Sequence, residues 1–267
     1  NSLIQNCKDL TQHGIKILLI YGGGELIDKE VKQRGIGIQR VDGRRVTDKA
    51  TLELMKEVIG GRVSLTVAET MASHKLEGHS FNCIPYDWMD VVLRSKKPID
   101  FGYVGDIKSA HNNAIMKIFS NTNFIACPCL AFAYDPWNNV TTLANINADT
   151  IATELAIGIK AKKLVFLSDV DGIYINKKSA FVITDQEIPE YIKKGIVTGG
   201  MKVKLENCLR ALKAGVNRIH VINGLTKDAL KKEIYESVGP GTMLITESER
   251  EHYMNEVSAQ KLIEAQS

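Results

Sequence analysis

The 267-residue chain has no apolar run that approaches the roughly 20 residues a membrane-spanning helix needs. Its first residues, Asn1 to Gln12, are polar and lack a signal-peptide core, so the sequon Asn139-Val140-Thr141 reads as incidental. A surplus of one charge is also missing. Lys and Arg number 34 against 31 Asp and Glu, and a net charge of +3 does not by itself point to a nucleic acid or a membrane surface. Cysteine is sparse: Cys7, Cys83, Cys127, Cys129 and Cys208 are odd in number and not spaced as a disulfide framework. Cys127-Pro128-Cys129 has no second Cys/His pair at zinc spacing. The apolar Phe124-Ile125-Ala126-Cys127 before it reads as a buried strand whose thiol packs as a small hydrophobe. A reducing cytoplasm suits this cysteine usage. No fixed-period repeat or low-complexity linker interrupts the chain.

What is present is the length for one large domain or two lobes, with 44% hydrophobic and 24% charged residues, as in ordinary globular proteins. Apolar strands are expected at Ile15–Tyr21, Asn123–Cys129, Lys163–Leu167 and Arg218–Ile222. Helical periods lie between them at Glu25–Gln33, Ala148–Ile159 and Lys202–Ala214. Strands alternating with helices predict an α/β fold, an open and mostly parallel sheet sandwiched by helices. A lobe boundary is expected near Gly158–Lys162, dividing the chain into 1–160 and 161–267. The polar, charged segment Thr246–Ser267 reads as a peripheral helix or a frayed tail. Ligands of such sheets sit at the C-terminal ends of strands, which directs attention to Gly22–Gly24 and to the turn after Ser168-Asp169.

Four segments carry chemistry. Tyr21-Gly22-Gly23-Gly24 joins a strand to a helix, where glycines let backbone N–H groups approach an anion; a tight turn is the plainer reading. In Asp42-Gly43-Arg44-Arg45-Val46-Thr47-Asp48, Thr47 or Asp48 would cap a helix starting near Ala50. The two arginines are either surface charge or a bidentate clamp for a carboxylate. Asn145-Ile146-Asn147-Ala148-Asp149 opens an apolar helix with more polar groups than one cap requires. Thr198-Gly199-Gly200-Met201-Lys202-Val203-Lys204 opens another with a glycine pair and lysines one turn inside. Lys202 and Lys204 cannot share a helix face, so one is expected at the ligand and the other in solvent.

Together with Asp100-Phe101-Gly102-Tyr103-Val104-Gly105, Leu167-Ser168-Asp169-Val170-Asp171-Gly172 and Gly239-Pro240-Gly241-Thr242, these collinear segments resemble the amino-acid kinase family over most of residues 15 to 245. The resemblance implies an amino-acid kinase fold with two lobes, the N-terminal one for an acylated amino acid and the C-terminal one for the nucleotide. It implies transfer of the terminal phosphate of ATP, with Mg²⁺, to the side-chain carboxylate of N-acetylglutamate in arginine biosynthesis. Gly23 and Gly24 would hold the transferring phosphoryl group. Arg45 would clamp the substrate's α-carboxylate, with Gly22, Asn145 and Asn147 at the substrate. Lys204 would neutralise phosphate charge and Asp149 would order the lysines, while Ser168, Asp169, Gly200, Met201 and Asn223 would border the nucleotide. No protein metal ligands are implied. A homodimer or larger homo-oligomer is. A carboxylate is already a nucleophile, so the lack of a Ser/His/Asp or Cys/His constellation agrees with this chemistry.

The chain departs from the family pattern in two places. The family opens with a strand carrying Lys-x-Gly-Gly, and Asn1 already lies within the helix expected after it, so that strand is expected upstream. Around Asn82–Val92 the family has a glycine-rich stretch, whereas here stands Cys83-Ile84-Pro85-Tyr86-Asp87-Trp88-Met89-Asp90, which either reshapes the pocket or packs the lobe. Tyr21 stands where the family usually has His. The alternatives these departures keep open are a catalytically inactive ligand-binding or regulatory member, and a kinase for a related acylated amino acid.

Overall fold

The computed structural model of the chain describes residues 2–37, 39–41, 44–236 and 239–264. It has two compact units, Cys7–Ile159 and Lys160–Ser267, the second taking in Asn1–Asn6 as well.

In the first unit Ile17–Tyr21 forms a strand parallel to Phe124–Pro128, from Ile17 opposite Phe124 to Tyr21 opposite Pro128, and His79–Ser80 adds to the far side. Every residue of Phe124–Pro128 is buried, as its unbroken apolar run implied. One residue later Leu130–Asp135 joins a second sheet of order Gly105–Ala110, Met89–Leu93, Leu130–Asp135, Val140–Asn145. There Met89–Leu93 runs parallel to Leu130–Asp135 and the outer pairs are antiparallel. Helices Gly24–Gln33, Lys49–Met55, Ser64–Ser73, Asn112–Phe119 and Ala148–Gly158 belong to this unit, with π-helix Lys56–Val63 joining the second and third. Ile27, Leu52, Ile59, Ile115, Ile125 and Ile151 meet in its core.

The unusual Asn82–Val92 segment contributes to that core. Trp88 is fully buried with its ring edge-on to Phe81 at 5.8 Å, and Ile84 bridges to Ala131. Tyr86 stays exposed against Phe132. Cys127 and Cys129 are buried; burial drives both thiols up, Cys129 to about 11, so they remain protonated packing groups.

The second unit holds a four-stranded sheet of order Lys163–Ser168, Arg218–Asn223, Thr242–Ile245, Val182–Thr184. The outer pairs are parallel and the central pair antiparallel. Helix Gly199–Lys213 begins three residues earlier than the sequence pattern indicated, because both glycines of Gly199-Gly200 join its first turn. The charged C-terminal segment is helical from Arg250 to Glu264, and Tyr253 and Val257 anchor it beside Met243 and Ile245. Among the described residues no helix is long and apolar enough to cross a membrane.

Two local features hold loops of the first unit in register. Thr47 N–H donates to the Phe101 carbonyl at 3.0 Å, Tyr103 N–H to the Thr47 carbonyl at 2.7 Å, and Asn145 N–H to the Tyr103 carbonyl at 2.9 Å. Gly102 makes this crossing possible: its φ is +66°, and a Cβ there would lie 2.3 Å from the Thr47 carbonyl oxygen. Asp48 caps helix Lys49–Met55, accepting from Thr51 N–H at 2.7 Å, and that bond holds its carboxyl below the usual range.

Gly102→Ala is therefore expected to lower unfolding free energy by about 1–3 kcal/mol, through left-handed strain and the clash with Thr47, as read from thermal denaturation. Asp48→Ala is expected to cost about 1 kcal/mol at neutral pH. Because the folded carboxyl titrates below its unfolded value, the ionic part of that difference is present above about pH 4 and fades as pH falls through the folded pKa. Urea unfolding of both chains across that range checks it.

Candidate functional site

Strand Ile17–Tyr21 runs into Gly22, and helix Gly24–Gln33 begins two residues later with Gly23 at its N-cap. No side chain caps this helix, so its first amides are not taken by a cap. A Cβ built at Gly22 would lie 3.5 Å from the Ala148 Cβ, which sets the loop against the start of helix Ala148–Gly158. At Gly23 a Cβ would fall 2.0 Å from Ile59 Cδ1, whereas Gly24 faces open space. The loop thus borders two helix N-termini, each favouring negative charge.

Asn147 caps helix Ala148–Gly158, its side-chain oxygen accepting from Thr150 N–H at 3.0 Å. Asp149 lies in that helix's first turn and is partly buried. Asn145 donates through Nδ2 to Thr47 Oγ1 at 3.0 Å, joining the Asn145–Asp149 and Arg45–Asp48 segments. Arg45 is tied to the glycine loop directly: Nη2 donates to the Gly24 carbonyl at 3.1 Å and pairs with Asp28 Oδ1 at 2.6 Å. Its side chain is only 8% exposed, yet Nη1 is buried with no hydrogen-bond partner among the described residues. An unused donor on a buried guanidinium is expensive unless a ligand completes it. Tyr21 turns elsewhere; its hydroxyl donates to Ser64 Oγ at 2.9 Å, and burial raises it above the ordinary phenol range.

This first unit therefore gathers Gly22, Gly23, Gly24, Arg45, Asn145, Asn147 and Asp149. The second unit gathers the remaining candidates. Lys163–Ser168 and Arg218–Asn223 run parallel with Ser168 opposite Asn223, so both ends leave the sheet together. Gly224 N–H donates to the Ser168 carbonyl at 2.8 Å, and Ser168 Oγ to Asp169 Oδ1 at 3.3 Å. Asn223 donates through Nδ2 to Asp171 Oδ1 at 2.8 Å and accepts from Leu225 N–H at 2.9 Å, which stiffens the turn.

Helix Gly199–Lys213 starts without a side-chain cap, and space is open around Gly199 and Gly200. Met201 follows them in the first turn, half-buried. The two lysines divide as helix geometry demands. Lys204 Nζ lies 4.5 Å over the Phe166 ring, two residues before Ser168 on the same strand. Lys202 is half exposed and 3.9 Å from Glu206. Among the described residues no three His, Cys, Asp or Glu side chains gather to hold a metal on their own.

Sequence reasoning missed Asp28, which pairs with both Arg40 and Arg45. The available signal was an acid four residues after Gly24, on the same helix face as the loop.

The comparisons agree with this architecture. The model of the amino acid kinase family matches residues 1–223. An acetylglutamate kinase of Pelodictyon phaeoclathratiforme is 32% identical over 96% of this chain and 82% of its own length. Among solved structures, smu.665 of Streptococcus mutans superposes with a TM-score of 0.77 at 23% identity, covering 91% of each chain. A carbamate kinase of Giardia has a TM-score of 0.60 at 18% identity, over 92% of this chain and 89% of its own. The two structures share the fold, and the Pelodictyon relative aligns in sequence over nearly the whole chain. With that match in hand, the chain belongs to the amino acid kinase family, among relatives of the acetylglutamate kinases.

Proposed function

We propose that this chain transfers the terminal phosphoryl group of ATP to the side-chain carboxylate of N-acetylglutamate, a step of arginine biosynthesis. The observation that carries the reading is the bond between Arg45 and Gly24. It ties a buried guanidinium with one unused donor to a glycine loop flanked by two helix N-termini. One element suits a carboxylate, the other a phosphoryl group, and they touch.

In this mechanism the substrate's carboxylate oxygen attacks the γ-phosphorus, the bond to the bridging oxygen breaks, and ADP leaves. No general base is required, because the nucleophile is already anionic. Catalysis reduces to alignment and to compensating charge on the phosphoryl oxygens. Arg45 holds the α-carboxylate, with Gly22, Asn145 and Asn147 around the acyl amino acid, and Gly23 and Gly24 present amides to the transferring group. Lys204 is assigned to offsetting phosphate charge, and Asp149 to ordering the lysines of the site. Ser168, Asp169, Gly200, Met201 and Asn223 border the nucleotide.

The donor set suits Mg²⁺ carried on the nucleotide's phosphates, which takes only one or two carboxylates from a protein. When bound, that ion offsets phosphate charge. The five free cysteines support a reducing cytoplasm as the setting. The same reading carries a homodimeric or larger assembly, which sedimentation velocity would test.

Incubation of the full-length protein with MgATP, N-acetylglutamate and hydroxylamine is expected to yield the hydroxamate only when both substrates are present. Nucleotide binding without hydroxamate would favour an inactive ligand-binding member. Arg45→Ala should raise the KM for N-acetylglutamate about a hundredfold, since losing one partner of a buried charge contact costs about 2–5 kcal/mol. Lys204→Ala should instead lower kcat, by about a hundredfold, as loss of one charge-stabilising donor does elsewhere.

A further inference from the structure

Arg40 and Arg45 face one another as partners in the short antiparallel ribbon formed by Arg40–Val41 and Arg44–Arg45. Like charges directly opposite in such a pair repel. Asp28 stands between them: Oδ2 accepts from Arg40 Nη2 at 2.6 Å, and Oδ1 pairs with Arg45 Nη2 at 2.6 Å. Asp28 lies one turn along helix Gly24–Gln33 from Gly24. On one helix face the Gly24 carbonyl therefore accepts a hydrogen bond from Arg45 Nη2, and the Asp28 carboxylate pairs with the same nitrogen as a counter-charge, its Oδ1 outside hydrogen-bond geometry.

The guanidinium is a rigid planar fork, so one hydrogen bond and one close ion pair on Nη2 fix the direction of the other nitrogen. That other nitrogen, Nη1, is buried and without a hydrogen-bond partner among the described residues.

We infer that Asp28 is a positioning residue for the acidic substrate: by holding Arg45 Nη2 and screening it from Arg40, it aims Nη1 at the incoming carboxylate. This rests on the reading that Arg45 receives that carboxylate. Asp28 is suited to act as a fixed anion. Burial raises its carboxyl, but the Arg40 bond and the close Arg45 charge outweigh it and leave the group below its usual range. It therefore stays ionised at neutral pH.

Two effects of Asp28 oppose each other on substrate binding. Its negative charge partly cancels the attraction of Arg45 for an anion, while its ion pair preorganises the guanidinium. Arg40 is 43% exposed and Asp28 35%, so the charge effect is screened by solvent, whereas orientation of the buried Arg45 is not. Positioning is expected to win.

The experiment compares the full-length protein with Asp28→Ala and Asp28→Asn, reading kcat, the KM for N-acetylglutamate, the KM for ATP and the melting temperature. Asp28→Ala is expected to raise the KM for N-acetylglutamate about tenfold and to leave kcat and the KM for ATP nearly unchanged, while the melting temperature falls because buried Arg45 loses its counter-charge. Asp28→Asn keeps the shape and an acceptor oxygen beside Arg45 but not the charge, and should recover only part of that loss. A fall in this KM in both variants would show that Asp28 only damps charge, and would overturn the proposal. So would no change in either variant, or an equal loss in kcat and in both KM values. If the unaltered protein makes no hydroxamate, the kinase reading fails, and calorimetric binding of N-acetylglutamate decides instead. Weaker binding in Asp28→Ala partly restored in Asp28→Asn supports the role. Binding equal in all three, or absent from the unaltered protein, overturns it.

Discussion

In a parallel strand pair both chains leave the sheet at the same end, and each unit builds its candidate site on that constraint. Tyr21 is opposite Pro128, so the glycine loop emerges beside the start of the Cys129–Asn145 excursion. Ser168 is opposite Asn223, so two polar turns emerge together in the second unit. Parallel strands need long crossovers, which here return as helices whose N-termini come back to the same edge. In the first unit this topology sets the glycine loop beside the start of helix Ala148–Gly158, and Arg45 is added from the short antiparallel ribbon. The apolar strand Phe124–Pro128, buried along its whole length, anchors the arrangement in the first unit.

Charge is then arranged around that edge by tertiary contacts. Arg45 is buried, and a buried guanidinium is tolerable only when paired and hydrogen-bonded. Asp28 and the Gly24 carbonyl meet part of that demand and leave Nη1 over. The pairing also relieves the opposition of Arg40 and Arg45 across their ribbon. In the second unit the cation is managed differently, with Lys204 laid over the Phe166 ring. Asn145 is held by Thr47, and Thr47 by the Phe101–Tyr103 backbone, so motifs far apart in the chain brace one another.

Two of the side chains that depart from the family pattern are packing groups, while Tyr86 stays exposed. Trp88 fills the core against Phe81, and Tyr21 bonds to Ser64 on the π-to-α helical stretch. Asn147 spends its side-chain oxygen on a helix cap, so its contact with a substrate would run through its amide nitrogen or backbone.

What the amino-acid sequence determined by itself is everything governed by near neighbours along the chain. Apolar runs dictated the strands at Ile17–Tyr21, Phe124–Pro128, Lys163–Ser168 and Arg218–Asn223. A cap was legible in each segment, as Thr47 or Asp48 in one and among Asn145, Asn147 and Asp149 in the other, and the structure selects Asp48 and Asn147. That Lys202 and Lys204 lie on different helix faces followed from periodicity, and the family resemblance singled out Lys204. Only the tertiary structure decided that Lys204 lies over Phe166, because that ring is supplied from another strand. It also decided that Arg45 is buried rather than solvated, and that Asp28 is its partner. Those contacts join residues 17 or more positions apart, and no local spacing encodes which charge will meet which until the sheet has set the loops side by side.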